Sequence, residues 1–401
     1  MLRKVFKAFS YPNFRLLWFG AFTSSVGTWM QQLAQSWWEF DVSKSAFYLG
    51  LDAFLGQLPI ILFSLVGGVI ADRMDRRRLL LASQYVQMAS AFLLTVLIAN
   101  GLKQVWPVLV LSFVVGTAQA FGGPAYSALV PSLVDKEDLP NAIALNSIQF
   151  NLARVIGPIL GGLALTNWGA AWCFGLNGLS FVAVVFSLLK LRIDFKAGAV
   201  ATSILTSMKE GFGFIRKQGA MQGLIAIAFC MTLFAFPMLT FFPVFAKEVF
   251  FGGPKVLTLL LSISGVGSVV GSLCVAATGN IRHKGMVALF SLVVLGGCIG
   301  GFGASRNLPL SCVIVFINGS MLMVAFSMIS SLVQLITANE MRGRVMSVYN
   351  LAFRGGMPLG SLATGYLVRF YPAPAVIMVN GFLLMGVGVY FLLMQRRVAA
   401  L

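Results

Sequence analysis

Charge is what this sequence has least of. Only 10% of its 401 residues are Asp, Glu, Lys or Arg, against about 25% in soluble domains. Acid is scarcest: 12 carboxylates face 29 lysines and arginines, a formal net charge of +17. With 58% hydrophobic residues and a mean hydropathy of +0.89, a soluble domain is excluded and a membrane protein is indicated. There is one histidine, His283, in a short basic loop, so a histidine-built metal or catalytic centre is not expected. The five cysteines (Cys173, Cys230, Cys274, Cys298, Cys312) fall in apolar runs without the spacing of a metal site or disulfide framework. The phosphate-binding pattern Gly-x-x-x-x-Gly-Lys-Ser/Thr does not occur, which argues against ATP hydrolysis, and no cofactor is expected. The period-two alternation of an outer-membrane barrel is also missing. Met1 to Phe9 is basic, but the apolar run after it is long and carries a polar stripe, so no cleavable leader is expected. Excess positive charge raises nucleic acid as a partner. The cations lie at the ends of apolar runs instead of on a soluble face, so no nucleic-acid role is expected.

What the sequence has is long apolar runs. Twelve are read as spans: 14–38, 46–70, 79–99, 105–129, 141–165, 171–190, 221–245, 256–279, 286–304, 308–335, 345–369 and 374–394. Each is near the ~20 residues that cross a bilayer. An even count puts both termini on one side. Of the 29 basic residues, 21 fall in the termini and loops of that side and 6 in the opposite loops, which places both termini in the cytoplasm. Two basic residues are left at membrane depth, Arg154 and Arg354. The longest connection, 191–220, has Ile204, Leu205, Met208, Phe212 and Ile215 at helical spacing with Lys209, Arg216 and Lys217 between them. It reads as an amphipathic surface helix joining halves 1–190 and 221–401, or as a passive linker. No soluble catalytic domain fits the other loops, so an enzyme is not expected.

The two buried arginines repeat. Arg154 precedes Pro158 by four residues, and Arg354 precedes Pro358 by four, 200 residues later. Ser147, Asn151, Arg154, Pro158 and Gly161 share one helical face; Ser347, Asn350, Arg354, Pro358 and Ser361 share the corresponding one. A guanidinium in an apolar run is costly. The pair reads either as a two-fold-related feature of the contact between halves or as direct contacts to an anionic substrate.

Between spans 2 and 3 the chain reads Gly67-Gly68-Val69-Ile70-Ala71-Asp72-Arg73-Met74-Asp75-Arg76-Arg77-Arg78. This resembles the cytoplasmic signature of the major facilitator superfamily, with Asp75 where a glycine is usual. Gly157-Pro158-Ile159-Leu160-Gly161-Gly162 resembles the span-5 motif of its antiporters and exporters. Together with Asn151 to Pro158 and loops 136–146 and 339–347, the chain is similar to the bacterial exporter branch that includes the enterobactin exporter. The resemblance implies an all-α membrane protein of twelve transmembrane helices in two pseudo-symmetric six-helix bundles. It implies gating by Gly68, Asp72, Arg73, Arg76, Gly157, Pro158, Gly161, Gly162 and Pro358. For the extra arginines the plain alternative is topology, and for the glycines and prolines it is helix packing. The corresponding second-half loop has Asn280 in place of the aspartate. Span 4 lacks the basic residue tied to proton coupling in many drug antiporters of that superfamily.

Span 1 carries Ser25, Thr28, Gln32, Gln35 and Glu39 at steps of 3 and 4, one helical face. In the fold the resemblance implies, spans 1, 4, 7 and 10 line the central cavity. Thr28, Gln32, Gln35, Gln119, Tyr126, Asn318, Ser327, Arg154 and Arg354 are therefore the substrate-binding candidates. Phe234, Phe236, Phe241 and Phe242 of span 7 would add an aromatic wall. The alternative for the polar residues is hydrogen bonding between helices. Proton coupling needs a carboxylate that can become neutral, which burial favours. Asp52 leads and Glu39 follows. The expected protein is a bacterial inner-membrane exporter of drug-like or siderophore-like amphipathic compounds. It would work by alternating access and proton antiport, with a small-molecule substrate, protons and the lipid bilayer as partners, and could act as a monomer. A lipid or lysolipid facilitator and a non-transporting sensor or scaffold are the rival readings.

Overall fold

The computed structural model describes residues 6–191, 204–216, 218–279, 283–394 and 398, with the side chains of 64–69, 71–73 and 204–209 outside that description. Among the described residues, thirteen α-helices longer than ten residues follow in order: α1 Pro12–Ser43, α2 Ala46–Arg73, α3 Arg76–Ala99, α4 Trp106–Leu129, α5 Leu139–Trp168, α6 Ala170–Lys190, α7 Ile204–Arg216, α8 Gly219–Thr240, α9 Gly253–Thr278, α10 Lys284–Ala304, α11 Leu308–Leu335, α12 Arg342–Leu367 and α13 Ala373–Leu393. Helices close their own backbone hydrogen bonds, the requirement for a segment surrounded by hydrocarbon. Twelve of the thirteen overlie the twelve apolar runs. Ten are long and apolar enough to cross a bilayer. The two that are not, α1 and α12, carry the polar stripe of Ser25 to Glu39 and the arginine face of Asn350 and Arg354. Polarity, not shortness, sets them apart.

Local chemistry fixes the helix ends. Asp75 caps α3, accepting from the backbone N–H of Arg77 at 2.9 Å and Arg78 at 3.4 Å. The aspartate in the glycine position of the signature thus serves as an N-cap, satisfying donors that helices leave open. Asn307 caps α11 in the same way, through Leu310 N–H at 3.0 Å. Gly169, at φ +89°, makes the left-handed break that lets α6 start directly after α5.

The chain divides into two compact units, Met1–Ser43 with Leu55–Ala201, and Lys44–Phe54 with Thr202–Leu401. Within the first, α1 packs on α5 and α6, and α3 packs on α4 and α6. Within the second, α8 packs on α12 and α13, and α10 packs on α11 and α13. These four pairings correspond across the repeat, so the repeat extends from sequence to packing, and in the second unit α9 also packs on α11. Small residues permit it. A Cβ on Gly161 would stand 3.0 Å from the Cα and carbonyl oxygen of Met30, and one on Gly360 would collide with the Leu233 carbonyl. Gly161 thus sets the α1–α5 crossing and Gly360 the α8–α12 crossing.

The amphipathic helix expected in 191–220 forms as α7. It docks on α12: Glu210 pairs with Arg344, Gly211 abuts the Arg344 carbonyl, and Ile215 is buried. Phe241 and Phe242 are fully buried. Phe242 packs against Phe302, with ring centroids 5.4 Å apart, and Phe302 also meets Phe245 at 4.5 Å. These two aromatics of span 7 are core, not an exposed binding wall.

Candidate functional site

In the first unit the α1 stripe is cross-braced. Gln149 of α5 donates to Ser25 Oγ at 3.0 Å, and Tyr126 of α4 donates to Asn146 Oδ1 at 3.3 Å and approaches Gln149 Oε1 at 3.5 Å. Gln31 accepts from Asn177 of α6 at 2.6 Å. Gln35 donates to Ser112 Oγ at 3.0 Å and to Glu39 Oε1 at 3.2 Å. Glu39 is 1% exposed, so its carboxyl sits away from water. Asp52 is only partly buried. Gln119 donates to Gln87 at 3.3 Å, and Thr28 turns its hydroxyl to the Ser24 carbonyl at 2.9 Å. Gln32 is exposed.

Arg154 lies on α5 five residues after Gln149. It is 9% exposed, and its guanidinium stands over the Trp29 ring at 5.8 Å. Trp29 in turn meets Phe150 edge-on at 6.0 Å. Among the described residues no carboxylate is within ion-pair distance of Arg154. A cation–π contact recovers part of the lost hydration. Arg354 has the matching position on α12 but is exposed. The sequence repeat therefore does not carry a repeat of environment. Gly157 and Gly161 bring α5 against Trp29 and Met30, so the exporter-type motif is also what presses the aromatic and the cation together. Pro158 and Gly162 are buried along the same helix, and Pro358 is buried in α12.

Of the other gating candidates, Arg76 donates to the Ala128 carbonyl at 3.1 Å, tying the start of α3 to the last turn of α4. Arg77 does the same for α6, donating to the Leu188 and Leu189 carbonyls, both at 2.6 Å. Cations here satisfy the open carbonyls of helix C-termini, a role beyond topology. Gly68, Asp72 and Arg73 lie outside the described side chains. A second tie joins the segment before α1 to the loop before α5 and the first turn of α5. Lys7 pairs with Asp138 at 2.8 Å, the Ala8 N–H donates to Asn141 at 2.8 Å, and the Tyr11 hydroxyl meets Asp138 and Asp135 at 2.8 Å each.

In the second unit, Asn318 is 2% exposed and its Oδ1 completes no hydrogen bond among the described residues. Ser327 faces a cavity described below. Thr240 and Ser361 join α8 to α12 at 3.2 Å, and Asn380 donates to Thr364 at 2.9 Å. Gln149, set in the polar stretch Asn146 to Asn151, and Asn177, a lone amide between Leu176 and Gly178, were not singled out in the sequence. The isolation of Asn177 was the available signal, since a bare amide is costly at membrane depth.

The family model for transmembrane secretion effectors matches residues 4–400. The chain belongs to that family of the major facilitator superfamily. Its members and relatives are membrane transporters, not enzymes. It is similar to macrolide efflux protein A of Streptococcus pyogenes, 23% identical over 87% of this chain and 89% of that protein. It is similar to the staphyloferrin A transporter of Staphylococcus aureus, 24% identical over 85% of this chain and 86% of that one. The enterobactin exporter of Shigella boydii is 25% identical over 96% of this chain and 92% of its own length. Among solved structures, a peptide transporter named POT superposes with TM-score 0.77 at 14% identity, covering 96% of this chain and 94% of that chain. The nucleoside transporter NupG superposes with TM-score 0.73 at 15% identity over 96% and 99%. These structures fix the fold only. The secretion family member described here is thus a multi-pass membrane transporter with exporter relatives.

Proposed function

We propose that this transporter exports small amphipathic compounds, drug-like or siderophore-like, across the bacterial inner membrane by alternating access coupled to proton entry. On this reading the twelve long helices all cross the bilayer as two six-helix bundles and both termini are cytoplasmic. The observation that carries the reading is Arg154, a buried guanidinium stacked on Trp29 with no carboxylate beside it among the described residues. A fixed cation against an aromatic plane suits a substrate with an acidic or strongly polar group on a bulky apolar body. Relatives named for a macrolide and for two siderophores support the same substrate range. Proton coupling is assigned to Glu39, because it is the more deeply buried carboxyl and lies one turn from Gln35 on the polar face of α1. Asp52 is the second choice.

The test is accumulation of fluorescent amphiphiles in cells with and without the protein, repeated with a protonophore. Export lowers accumulation and the protonophore restores it. Unchanged accumulation across a drug and siderophore panel, alongside altered lysophospholipid uptake into spheroplasts, would transfer the assignment to lipid handling. Glu39→Gln is expected to abolish the protonophore-sensitive part and leave expression normal. Full coupling in that variant, with loss in Asp52→Asn, would move the proton site to Asp52.

A further inference from the structure

We propose that the cavity where the end of α11 meets the start of α12 is a binding site for a small aromatic carboxylate. The cavity is a wide-mouthed groove of about 460 Å³. Four of its lining residues, Ser327, Ser330, Ser331 and Gln334, follow the steps 3, 1 and 3 that place them on one helical face. They sit in the last nine residues of a helix apolar enough to cross a bilayer, where polar side chains are retained for a partner. One hydrogen bond joins these four side chains, Gln334 Nε2 to Ser330 Oγ at 3.4 Å. Among the described residues the Ser327 and Ser331 hydroxyls make no hydrogen bond, while Ser330 also lies beside the Tyr349 hydroxyl.

The charge comes from Arg342, which also lines the cavity. Two residues on, Arg344 is already paired with Glu210. Arg342 has no such carboxylate among the described residues. One arginine of the pair thus holds α7 and the other is open to the cavity. Phe326 supplies an apolar wall and is backed by Phe353 at 4.9 Å, which in turn lies 6.1 Å from Tyr349. The Tyr349 hydroxyl is buried beside Ser330 and completes no hydrogen bond among the described residues. Phe326 can stack a ring, Arg342 can take a planar carboxylate through two parallel N–H groups, and the serines and the amide can take ring hydroxyls. A cationic ligand is repelled. The inference refines the substrate class of the export reading, and binding itself can be tested without transport.

The experiment is photolabelling of the full-length protein in nanodiscs with 4-azidobenzoate, with 4-azidobenzamide as the uncharged counterpart and adducts mapped by mass spectrometry. Adducts are expected between residues 326 and 342, at least about tenfold above the amide, the scale of one charge-assisted pair. Arg342→Gln should remove most of them, Arg342→Lys should restore part, and Ser327→Ala with Ser331→Ala should lower them several-fold with Arg342 intact. Equal labelling by acid and amide, adducts elsewhere, or full labelling of Arg342→Gln would each overturn the proposal. The thermal transition of each variant is compared with wild type, and Ser327→Ala/Ser331→Ala carries the test if Arg342→Gln unfolds. Efflux without labelling sinks this inference and leaves the export reading standing. Labelling here by a protein that changes no accumulation does the reverse.

Discussion

Replacing Arg154 by methionine should make the protein more stable and stop it transporting. Methionine keeps an unbranched chain of similar length and removes the charge. Placing an arginine near the middle of a membrane helix costs roughly 2.5–3.5 kcal/mol on insertion scales. Against that stands the stack on Trp29 at 5.8 Å, which in a desolvated site contributes up to about 2 kcal/mol. No ion pair among the described residues offsets the difference, so Arg154→Met should gain on the order of 1 kcal/mol. Trp29 and Phe150 remain to pack the methionine, and sulfur–aromatic contact favours it. The assay is thermal unfolding in nanodiscs, scored beside efflux from cells at matched expression. The expected pair of results is a transition at or above the wild-type temperature with efflux near background. Arg154→Lys, which keeps charge but loses the flat stack, should fall between. A clear drop in stability for Arg154→Met would refute the reasoning, because it would mean that the cation is already compensated within the protein. Undiminished efflux would refute the site.

Three further outcomes follow from the geometry. Gly161→Val should lower stability by roughly 1–3 kcal/mol, because its Cβ meets Met30 at 3.0 Å, whereas Gly355→Val, with nothing within 4 Å, should have little effect on thermal unfolding. Glu210→Gln should cost no more than about 1 kcal/mol, since both partners of its ion pair are partly exposed, yet should speed tryptic cutting at Arg216 as α7 loosens from α12. The Lys7–Tyr11–Asp138 cluster should be stable across neutral pH and fail at both extremes. Hydrogen bonds from Lys7 and Tyr11 hold the Asp138 carboxyl below its ordinary value, so its contribution is complete above about pH 4–5 and is lost as pH falls through the lowered value. Asp138 holds the Lys7 ammonium above its ordinary range, and Asp138 and Asp135 push the Tyr11 phenol up to about 12. Their contributions are complete below pH 10 and are lost as pH rises past these raised values. Tryptic cutting at Lys7 should therefore be slow from about pH 5 to 9 in wild type and fast in Asp138→Asn; equal rates at pH 7 would remove the cluster as a tie.

The helices were legible because a bilayer permits little else: an apolar run of ~20 residues must close its own backbone bonds. The end of α11 at Leu335 and the start of α2 at Ala46 coincide with the run boundaries. The start of α3 carries its own signal in Asp75, a common N-cap residue, even though the three arginines after it oppose the helix dipole. The site was less legible, because a polar residue's meaning depends on what the next helix brings to it. Thr28 and Gln35 lie on one face of α1, yet one turns back to its own backbone and the other reaches Ser112 on α4. The paired arginines show the limit most clearly. The repeat preserves the backbone crossing: α5 meets α1 through Gly157 and Gly161, and α12 meets α8 through Gly356 and Gly360. At the first crossing Gly157 abuts Trp29, and at the second Gly356 abuts Thr232 and the Phe229 carbonyl. An indole can cover a guanidinium and a threonine cannot. Arg154 is buried against an indole and Arg354 is exposed, so duplication of the fold has not duplicated the site.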